Sequence, residues 1–452
     1  MAPSADLRPG RGPSRRIIAI AVVLGSVVLA AGIGLSGAAV ATAPTSPPGS
    51  PALAAPTQGP PGSPAASTSP APSAPAETPP AETAPTRAAV HAIEVRLRLQ
   101  VALDAARKRL GIPGVSVTVI FPDGTSWLGS SGLADVQGKV SVDSGTAFAV
   151  GSISKTYTAA LILALVGEGR IALDMPARSY LPESGLDRRI TVRRLLNHTS
   201  GLDDFFIHAS IDRALLAETS ATWTPARSLG YVGKRYFVPG RGWHYSNTNY
   251  LYLGLIAERV AGKPLAQQLR ERFFGPQDLR DTWYQAAEKP RSQTAHGYRF
   301  ANEKRAAKPI DLSDGTRVVP FTSVVTASAG AGSIAATSSD VARWARALYT
   351  GQVLGQAMTD EMFNAIAGTA AYAPRVGYGF GVQAFPIVGH ATLGHSGRLL
   401  GFRAAVRYLP ADSLTIAVLT NQSRTDPGLI VGDLLGIVFT PPPSCSRCSQ
   451  PS

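Results

Sequence analysis

An uninterrupted apolar run from Thr156 to Val166 is the feature that most restricts how this chain can fold. Apart from its threonine hydroxyls and one phenol, the run carries no polar side chain, so a helix made of it has no face for water. Such a helix must be enclosed by other elements, which hold its first turn rigidly. The sequence therefore predicts a buried helix that presents Ser152 and Lys155 at its N-terminal end.

The spacing of Ser152 and Lys155 suits acyl transfer. Side chains three residues apart share one face of a helix, so the lysine amine can reach the serine hydroxyl. A helix N-terminus also offers free N–H groups and a positive dipole end, both of which favour an oxyanion. A desolvated lysine can release its proton and act as a base. Taken alone, the pattern is better explained by an N-cap serine and an ordinary surface lysine, and only the motifs that follow favour a site.

A second motif supplies the groups that a serine nucleophile needs for proton movement. Tyr245 can shuttle the proton if a neighbouring cation lowers its pKa. Asn247 is expected in an extended turn, where it can orient the lysine and the substrate amide. A core tyrosine and a turn asparagine explain these residues singly, and the order of the motifs along the chain is what favours a site.

A third motif, His395 to Arg398, is expected at the edge of a strand. We expect His395 and Ser396 to form the wall against which a substrate carboxylate or leaving group lies. Gly397 would admit the substrate backbone closely. The backbone N–H of Arg398 would complete an oxyanion hole, and its side chain could bind a substrate carboxylate or remain in solvent.

In this order, the motifs resemble those of the serine β-lactamase and D,D-peptidase family. The branch concerned contains class C β-lactamases, D-alanyl-D-alanine carboxypeptidases and related esterases. The resemblance covers roughly residues 90 to 440. It extends to the segments Glu168–Asp174, Tyr180–Pro182, Leu195–Leu202, Phe237–Gly240 and Gly377–Gly381.

The resemblance implies an α+β fold: an antiparallel sheet flanked by helices, a mostly helical lobe, and an active site in the cleft between them. It implies that Ser152, Lys155 and Tyr245 are catalytic, and that the enzyme needs no metal or organic cofactor. It also places His198 in a structural turn away from the nucleophile. We find no Asp and His cluster with the sequence spacing of metal ligands.

One departure from the family concerns His395, because class C β-lactamases carry lysine at that position. A neutral histidine should hold a substrate carboxylate less strongly, and its charge should vanish above its ordinary pKa of about 6.5. The sequence thus predicts a weak β-lactamase and a better D,D-carboxypeptidase or D-peptidase acting on cell-wall peptides. An ester hydrolase is the alternative, and a non-catalytic penicillin-binding sensor is the alternative from another class.

The order of elements independently predicts an α+β fold, because strand patterns lie at both ends and helices between them. The first helix should begin near Ala89 and end at Leu110, and the last should span about Gly428 to Phe439. Strands are expected at Val115–Phe121, Ser126–Gly132, Gly379–Phe385, Ala391–Gly394, Phe402–Tyr408 and Leu414–Leu419.

The N-terminal region predicts export. Arginines precede an apolar span at Ile17 to Leu35, which is long enough to cross a bilayer. Residues 1–42 are therefore either a signal anchor or a signal peptide cleaved near Ala41 or Ala43. Residues 43–88, rich in Pro, Ala, Ser and Thr, are expected to be an extended linker. The domain would occupy residues 89–440, outside the cytoplasm.

The composition of the chain restricts the kinds of molecule that it can bind. The formal net charge of +13 would attract anionic cell-wall polymers or membranes, although a compositional bias of the genome explains it equally well. No basic run interleaved with aromatics suggests nucleic acid. The two cysteines, Cys445 and Cys448, lie in an expected flexible tail, 441–452, and cannot form a disulfide framework. We expect a monomer that acts on a small-molecule or peptide substrate.

Overall fold

Strands from the two ends of the chain meet in one sheet. A computed structural model describes residues 87–300, 307–372 and 376–440. The strands are β1 Gly114–Ile120, β2 Ser126–Asp135, β3 Val140–Ser141, β4 Phe148–Ala149, β5 Thr282–Tyr284, β6 Tyr298–Phe300, β7 Pro309–Asp311, β8 Ile334–Ala336, β9 Gly377–Tyr378, β10 Gln383–Ile387, β11 His390–Leu399, β12 Phe402–Leu409 and β13 Leu414–Thr420.

Most of the helices lie between β4 and β9 in the sequence. They are α1 Arg87–Leu110, α2 Ser154–Gly167, α3 Val192–Leu196, α4 Ala209–Ala217, α5 Pro225–Leu229, α6 Asn247–Ala261, α7 Leu265–Leu269, α8 Thr322–Ser328, α9 Ser338–Tyr349, α10 Gly355–Thr369 and α11 Gly428–Phe439. A short 3₁₀ turn at Gly151–Ile153 precedes α2.

The main sheet has eight strands in the order β3-β2-β1-β13-β12-β11-β10-β9, and the paired strands are antiparallel. The first and last long strands of the described chain, β1 and β13, pair directly, with Val117 opposite Val418. This pairing confirms the α+β class, in which both ends of the domain build one sheet.

Helices cover both faces of this sheet. On one face, Val115, Val117 and Val119 of β1 belong to a core that also contains residues of α1 and α11. On the other face, the hydroxyls of Ser116 and Thr118 lie 2.9 and 2.8 Å from the hydroxyl of Ser338, the first residue of α9. The sheet is therefore rigid, because side chains on both faces are fixed by helices.

The apolar helix α2 is enclosed, as its composition predicts. The side chains from Ser154 to Leu163 are buried, and Tyr157 stacks on Trp344 of α9 with 4.1 Å between ring centroids. The helix therefore anchors the helical lobe against the sheet and fixes the turn that carries Ser152.

The sequence placed most of these elements well. The last helix has the predicted bounds, and α1 differs from its prediction by two residues at its start. Asn247 is an exception, because it is the first residue of α6 and does not lie in an extended turn. Among the described helices, none is both long and apolar enough to cross a bilayer. The predicted span Ile17–Leu35, nearly all of the linker and the tail cysteines lie outside the described residues.

Candidate active site

Ser152 lies in the 3₁₀ turn that connects the short strand β4 to α2. Gly151 makes this position possible, because its φ of +52° is one that side-chain-bearing residues rarely adopt. A Cβ on Gly151 would also lie 2.8 Å from the backbone N, C and O atoms of Arg398. The turn therefore packs directly against β11, and the half-buried Ser152 lies beside the third motif.

The amine of Lys155 is held by three oxygens. It lies 3.0 Å from the Ser152 hydroxyl, 2.7 Å from Oδ1 of Asn247 and 2.9 Å from the carbonyl oxygen of Ala331. The amide oxygen and the carbonyl can only accept hydrogen bonds. A neutral amine would spend its two N–H groups on them, which leaves its lone pair directed at the Ser152 hydroxyl.

Burial favours the neutral form of this amine. Lys155 is fully buried, and this desolvation lowers its pKa to about 7. The carboxylate of Asp204 acts in the opposite direction on Lys155. Asp204 is itself buried, which raises its pKa, and its two oxygens accept from the Asn247 amide at 3.1 and 3.0 Å. These bonds turn Oδ1 of Asn247 toward the lysine.

Tyr245 lies beside this amine, with the ring centroid 5.0 Å from Nζ of Lys155. Burial raises the pKa of its phenol well above the usual value, and the Ser152 hydroxyl only partly opposes that shift. The sequence-based expectation of a lowered pKa is therefore wrong, because the loss of water raises the pKa by more than the Ser152 hydroxyl lowers it. The phenol carries its proton at neutral pH.

His198 packs against Tyr245, with ring centroids 4.4 Å apart. Its Nδ1 accepts from the backbone N–H of Ser246 and from the amide of Asn249, both at 3.1 Å. Its φ of +62° confirms a turn, but the expectation that it lies away from the site is wrong. Burial and the amine of Lys155 lower its pKa well below the usual value, so the ring is neutral.

His395 is fully buried in β11. Its Nδ1 lies 2.7 Å from the carbonyl oxygen of Ser396, an acceptor, and Nε2 lies 2.9 Å from the hydroxyl of Tyr378. Nδ1 therefore carries the proton and Nε2 accepts from the tyrosine. Burial, with a smaller effect of Lys155, lowers the pKa of His395 to about 3. The expected loss of charge near its ordinary pKa is wrong, because the ring is already neutral.

Gly397 allows close packing within the protein. A Cβ there would lie 2.0 Å from the carbonyl oxygen of Val150, so the residue between β4 and the Ser152 turn occupies the space that we expected for substrate backbone. Ser396 is half-buried and hydrogen-bonds to Arg407. Arg398 pairs with Arg403 across β11 and β12.

The structure thus gathers the sequence-predicted residues at one place, and it adds three that the sequence analysis missed. Asp204, Ala331 and Arg407 carry no motif of their own. For His198, the sequence predicts the turn correctly but places the residue away from the site. An acidic pair following the turn, Asp203-Asp204, was the only available signal for Asp204.

A separate cluster lies outside this site. One ligand atom each from Asp135, His296 and Asp311 falls within 4.8 Å of the others, and Nδ1 of His296 lies 2.9 Å from Oδ2 of Asp311. The sequence analysis considered only spacing along the chain, and this cluster joins residues that are far apart in the sequence.

The fold and the arrangement around Ser152 define a serine hydrolase of the β-lactamase type. The model of the family described as Beta-lactamase matches residues 99–435, and the chain belongs to that family.

Curated relatives carry several activities in their names. Penicillin-binding protein 4* of Bacillus subtilis is 27% identical over 304 residues, which are 66% of this chain and 66% of that protein. Penicillin-binding protein 4 of Amycolatopsis lactamdurans is 28% identical over 369 residues, 76% of this chain and 92% of that protein. Esterase EstB of Burkholderia gladioli is 27% identical over 246 residues, 52% of this chain and 61% of the esterase.

Solved structures show the same fold. A D-stereospecific amidohydrolase from Streptomyces sp. is 28% identical with a TM-score of 0.65, covering 76% of this chain and 98% of that one. The D-amino acid amidase of Ochrobactrum anthropi SV3, complexed with D-phenylalanine, is 25% identical with a TM-score of 0.64, covering 76% and 99%.

Proposed function

We propose that this protein is an exported D-peptidase, of the D,D-carboxypeptidase kind, that acts on cell-wall peptides through an acyl-Ser152 intermediate. The observation that carries the proposal is the set of contacts around Lys155, which leaves the lone pair of a neutral amine for the Ser152 hydroxyl. The names of relatives support D-configured amides as substrates, since they include a D-aminopeptidase and a D-amino acid amidase.

In the first step, Lys155 takes the proton of the Ser152 hydroxyl while the serine oxygen attacks the carbonyl carbon of the substrate. The negative charge that develops on the carbonyl oxygen is stabilised by the backbone N–H groups of Ser152 and Arg398. The close packing of the Ser152 turn on the Arg398 backbone supports this pairing of N–H groups.

Tyr245 completes the proton path. Its phenol is protonated in the resting site, so it donates a proton to the leaving amine and regains one from the ammonium of Lys155. The amine then leaves and an ester between the substrate acyl group and Ser152 remains. Water then attacks that ester while Lys155 accepts the proton of the water, and the ammonium returns this proton to the Ser152 oxygen as the acid leaves.

The test of the proposal is intact-mass measurement after exposure to a fluorescent penicillin, beside hydrolysis assays on a D-Ala-D-Ala peptide, a nitrophenyl ester and a cephalosporin. We expect a covalent adduct on the wild-type protein and peptide hydrolysis that both disappear in Ser152→Ala. Circular dichroism shows whether Ser152→Ala is folded, and Ser144→Ala, at an exposed serine, is the control variant. Adduct formation in Ser152→Ala would contradict the assignment of the nucleophile.

The same assays separate the alternatives. Turnover of esters without peptide turnover would identify an ester hydrolase, and rapid cephalosporin turnover would identify a β-lactamase. A stable adduct without turnover of any substrate would identify a penicillin-binding sensor. Each of these outcomes would replace the D-peptidase proposal.

Export rests on the sequence, in which arginines precede the apolar span Ile17–Leu35. A reporter fused after Pro80 should be active only outside the cytoplasm. Retention in the membrane after a carbonate wash would favour the anchor, whereas a mature N-terminus near Ala43 would favour cleavage. Full-length active protein recovered from the cytosol would contradict export.

A further inference from the structure

An exposed apolar stripe runs along the first helix of the domain. The side chains of Ile93, Leu97 and Val101 in α1 are 54, 64 and 70% exposed. Because these residues are four positions apart, they lie on one face of the helix. The opposite face, with Leu99 and Leu103, packs in the core against the sheet. Single exposed apolar residues are common, but a row of three along one helix indicates a surface that binds a partner.

The last helix extends this stripe. α11 contributes to the same core as α1, on the same face of the main sheet, and an ion pair between Arg109 and Asp433 joins the two helices. On α11, the side chains of Leu429 and Phe439 are exposed. The outward faces of the two helices form one apolar surface, which consists of Ile93, Leu97, Val101, Leu429 and Phe439.

Basic side chains border the apolar surface. From Ile93 onward, α1 has only two acidic residues, and its basic residues are Arg96, Arg98, Arg107, Lys108 and Arg109. The guanidinium of Arg96 donates to the carbonyl oxygen of Ser126 at 2.8 Å. That of Arg98 donates to the carbonyl oxygen of Thr440 at 3.4 Å. A carbonyl oxygen does not neutralise a cation, so both arginines keep their positive charge beside the apolar stripe.

The candidate active site lies on the opposite face of the main sheet. Consecutive residues of a strand point to opposite faces. In β12, Ala405 belongs to the core beneath α1 and α11, whereas Ala404 belongs to the core that contains α2. A partner that binds the apolar surface therefore leaves the cleft at Ser152 open on the other side of the sheet.

We propose that the apolar surface binds an anionic lipid bilayer. Its apolar side chains would enter the headgroup region while the arginines of α1 face lipid phosphates, which is how amphipathic helices bind such membranes. A second copy of this chain fits less well, because a symmetric contact through this surface would bring the same arginines face to face. The predicted membrane span Ile17–Leu35 precedes α1 in the chain and would keep the domain near a bilayer. The proposal does not depend on the substrate of Ser152.

The experiment places the full chain in lipid vesicles and measures how closely α1 approaches the bilayer. Cys445→Ser and Cys448→Ser remove the native thiols, and Ala105→Cys introduces one at an exposed position, one turn after Val101. An environment-sensitive fluorophore on this thiol reports contact with lipid by a blue shift of its emission and by quenching from spin-labelled lipids. The same fluorophore after Ser220→Cys, at an exposed position that follows α4, is the control.

In vesicles that contain anionic lipid, we expect a blue shift and quenching at position 105 and neither at position 220. In neutral vesicles the quenching at position 105 should be about twofold weaker or less than that, because the attraction to the arginines is absent. Salt at about 0.5 M should weaken it in the same way, because it screens charges that are more than a few ångström apart.

A triple variant tests the apolar stripe. The combination of Ile93→Ser, Leu97→Ser and Val101→Ser should abolish both the blue shift and the quenching at position 105. The matched control replaces three exposed apolar residues outside the apolar surface, by Leu128→Ser, Met175→Ser and Ile310→Ser, and it should keep both signals.

Circular dichroism and turnover in detergent establish that the variants are folded, and we expect both to be unchanged because Ser152 lies on the other side of the sheet. Equal quenching at positions 105 and 220, or in neutral and anionic vesicles, overturns the proposal, as does quenching that survives in the stripe variant. Protection of position 105 that grows with protein concentration without lipid also overturns it, and would identify a second copy as the partner. The proposed function is tested separately by Ser152→Ala.

Discussion

The imidazole of His198 lies against the phenol ring of Tyr245, with 4.4 Å between their centroids. His198 is far from Tyr245 in the sequence, yet its Nδ1 accepts from the backbone N–H of Ser246, the residue that follows the tyrosine. One side chain thus contacts the ring of Tyr245 and hydrogen-bonds to the backbone of the residue after it.

The first prediction follows from this contact. His198→Phe keeps a ring but leaves the Ser246 N–H and the Asn249 amide unsatisfied, so it should cost about 1–3 kcal/mol in the free energy of unfolding and lower kcat. His198→Asn retains an acceptor and tolerates a positive φ, so it should recover part of both losses. Urea unfolding measures the loss of stability and steady-state kinetics measure the loss of kcat. Equal losses in the two variants would show that the hydrogen bonds to Nδ1 of His198 are unimportant.

The second prediction concerns Lys155 and pH. Its amine must be neutral to accept the serine proton, and burial lowers its pKa to about 7. The kcat/KM for a neutral substrate should therefore fall about tenfold per pH unit below that value and level off above it. Lys155→Arg should abolish turnover, because a guanidinium stays protonated.

The matched control for Lys155→Arg is Lys263→Arg, at an exposed lysine that pairs with Glu271. This variant should keep the wild-type pH profile. Activity that is constant across the acidic range, or an active Lys155→Arg enzyme, would exclude Lys155 as the base.

The third prediction concerns His395. Its pKa is lowered to about 3, so it stays neutral and the ratio of activity on carboxylate and carboxamide peptides should not change between about pH 5 and 8. His395→Asn should show the same constant ratio. A decline of the ratio near pH 6.5 in the wild-type protein, absent from His395→Asn, would show that the histidine is charged below that pH.

The fourth prediction compares two glycines. Gly397→Ala would place its Cβ 2.0 Å from the carbonyl oxygen of Val150, so it should destabilise the protein by about 1–3 kcal/mol and displace the Ser152 turn. Gly368→Ala, in α10, meets no atom within 4 Å. It should leave turnover unchanged and stabilise by up to about 1 kcal/mol. Thermal unfolding and kcat of both variants test this prediction. Equal stability and equal kcat of the two variants would disprove the packing argument.

The sequence by itself determined most of the elements and the placement of Ser152 beside Lys155. The apolar run after Lys155 fixes a buried helix because no face of it can meet water, and the spacing of Ser152 and Lys155 places their side chains on one face. Strands such as β12 and β13 follow from short, largely apolar runs, and the closing helix from its longer apolar pattern. These properties are local, so they can be predicted from local sequence.

Only the tertiary structure decided the charges and the partners. Whether Tyr245, His395 and Lys155 carry protons depends on burial, which is set by elements distant in the chain. Asp204, Ala331 and Arg407 reach the site only because helices and strands remote in sequence pack together. The spacing of residues along a chain does not predict such contacts, because desolvation and hydrogen bonding depend on distances in the folded structure.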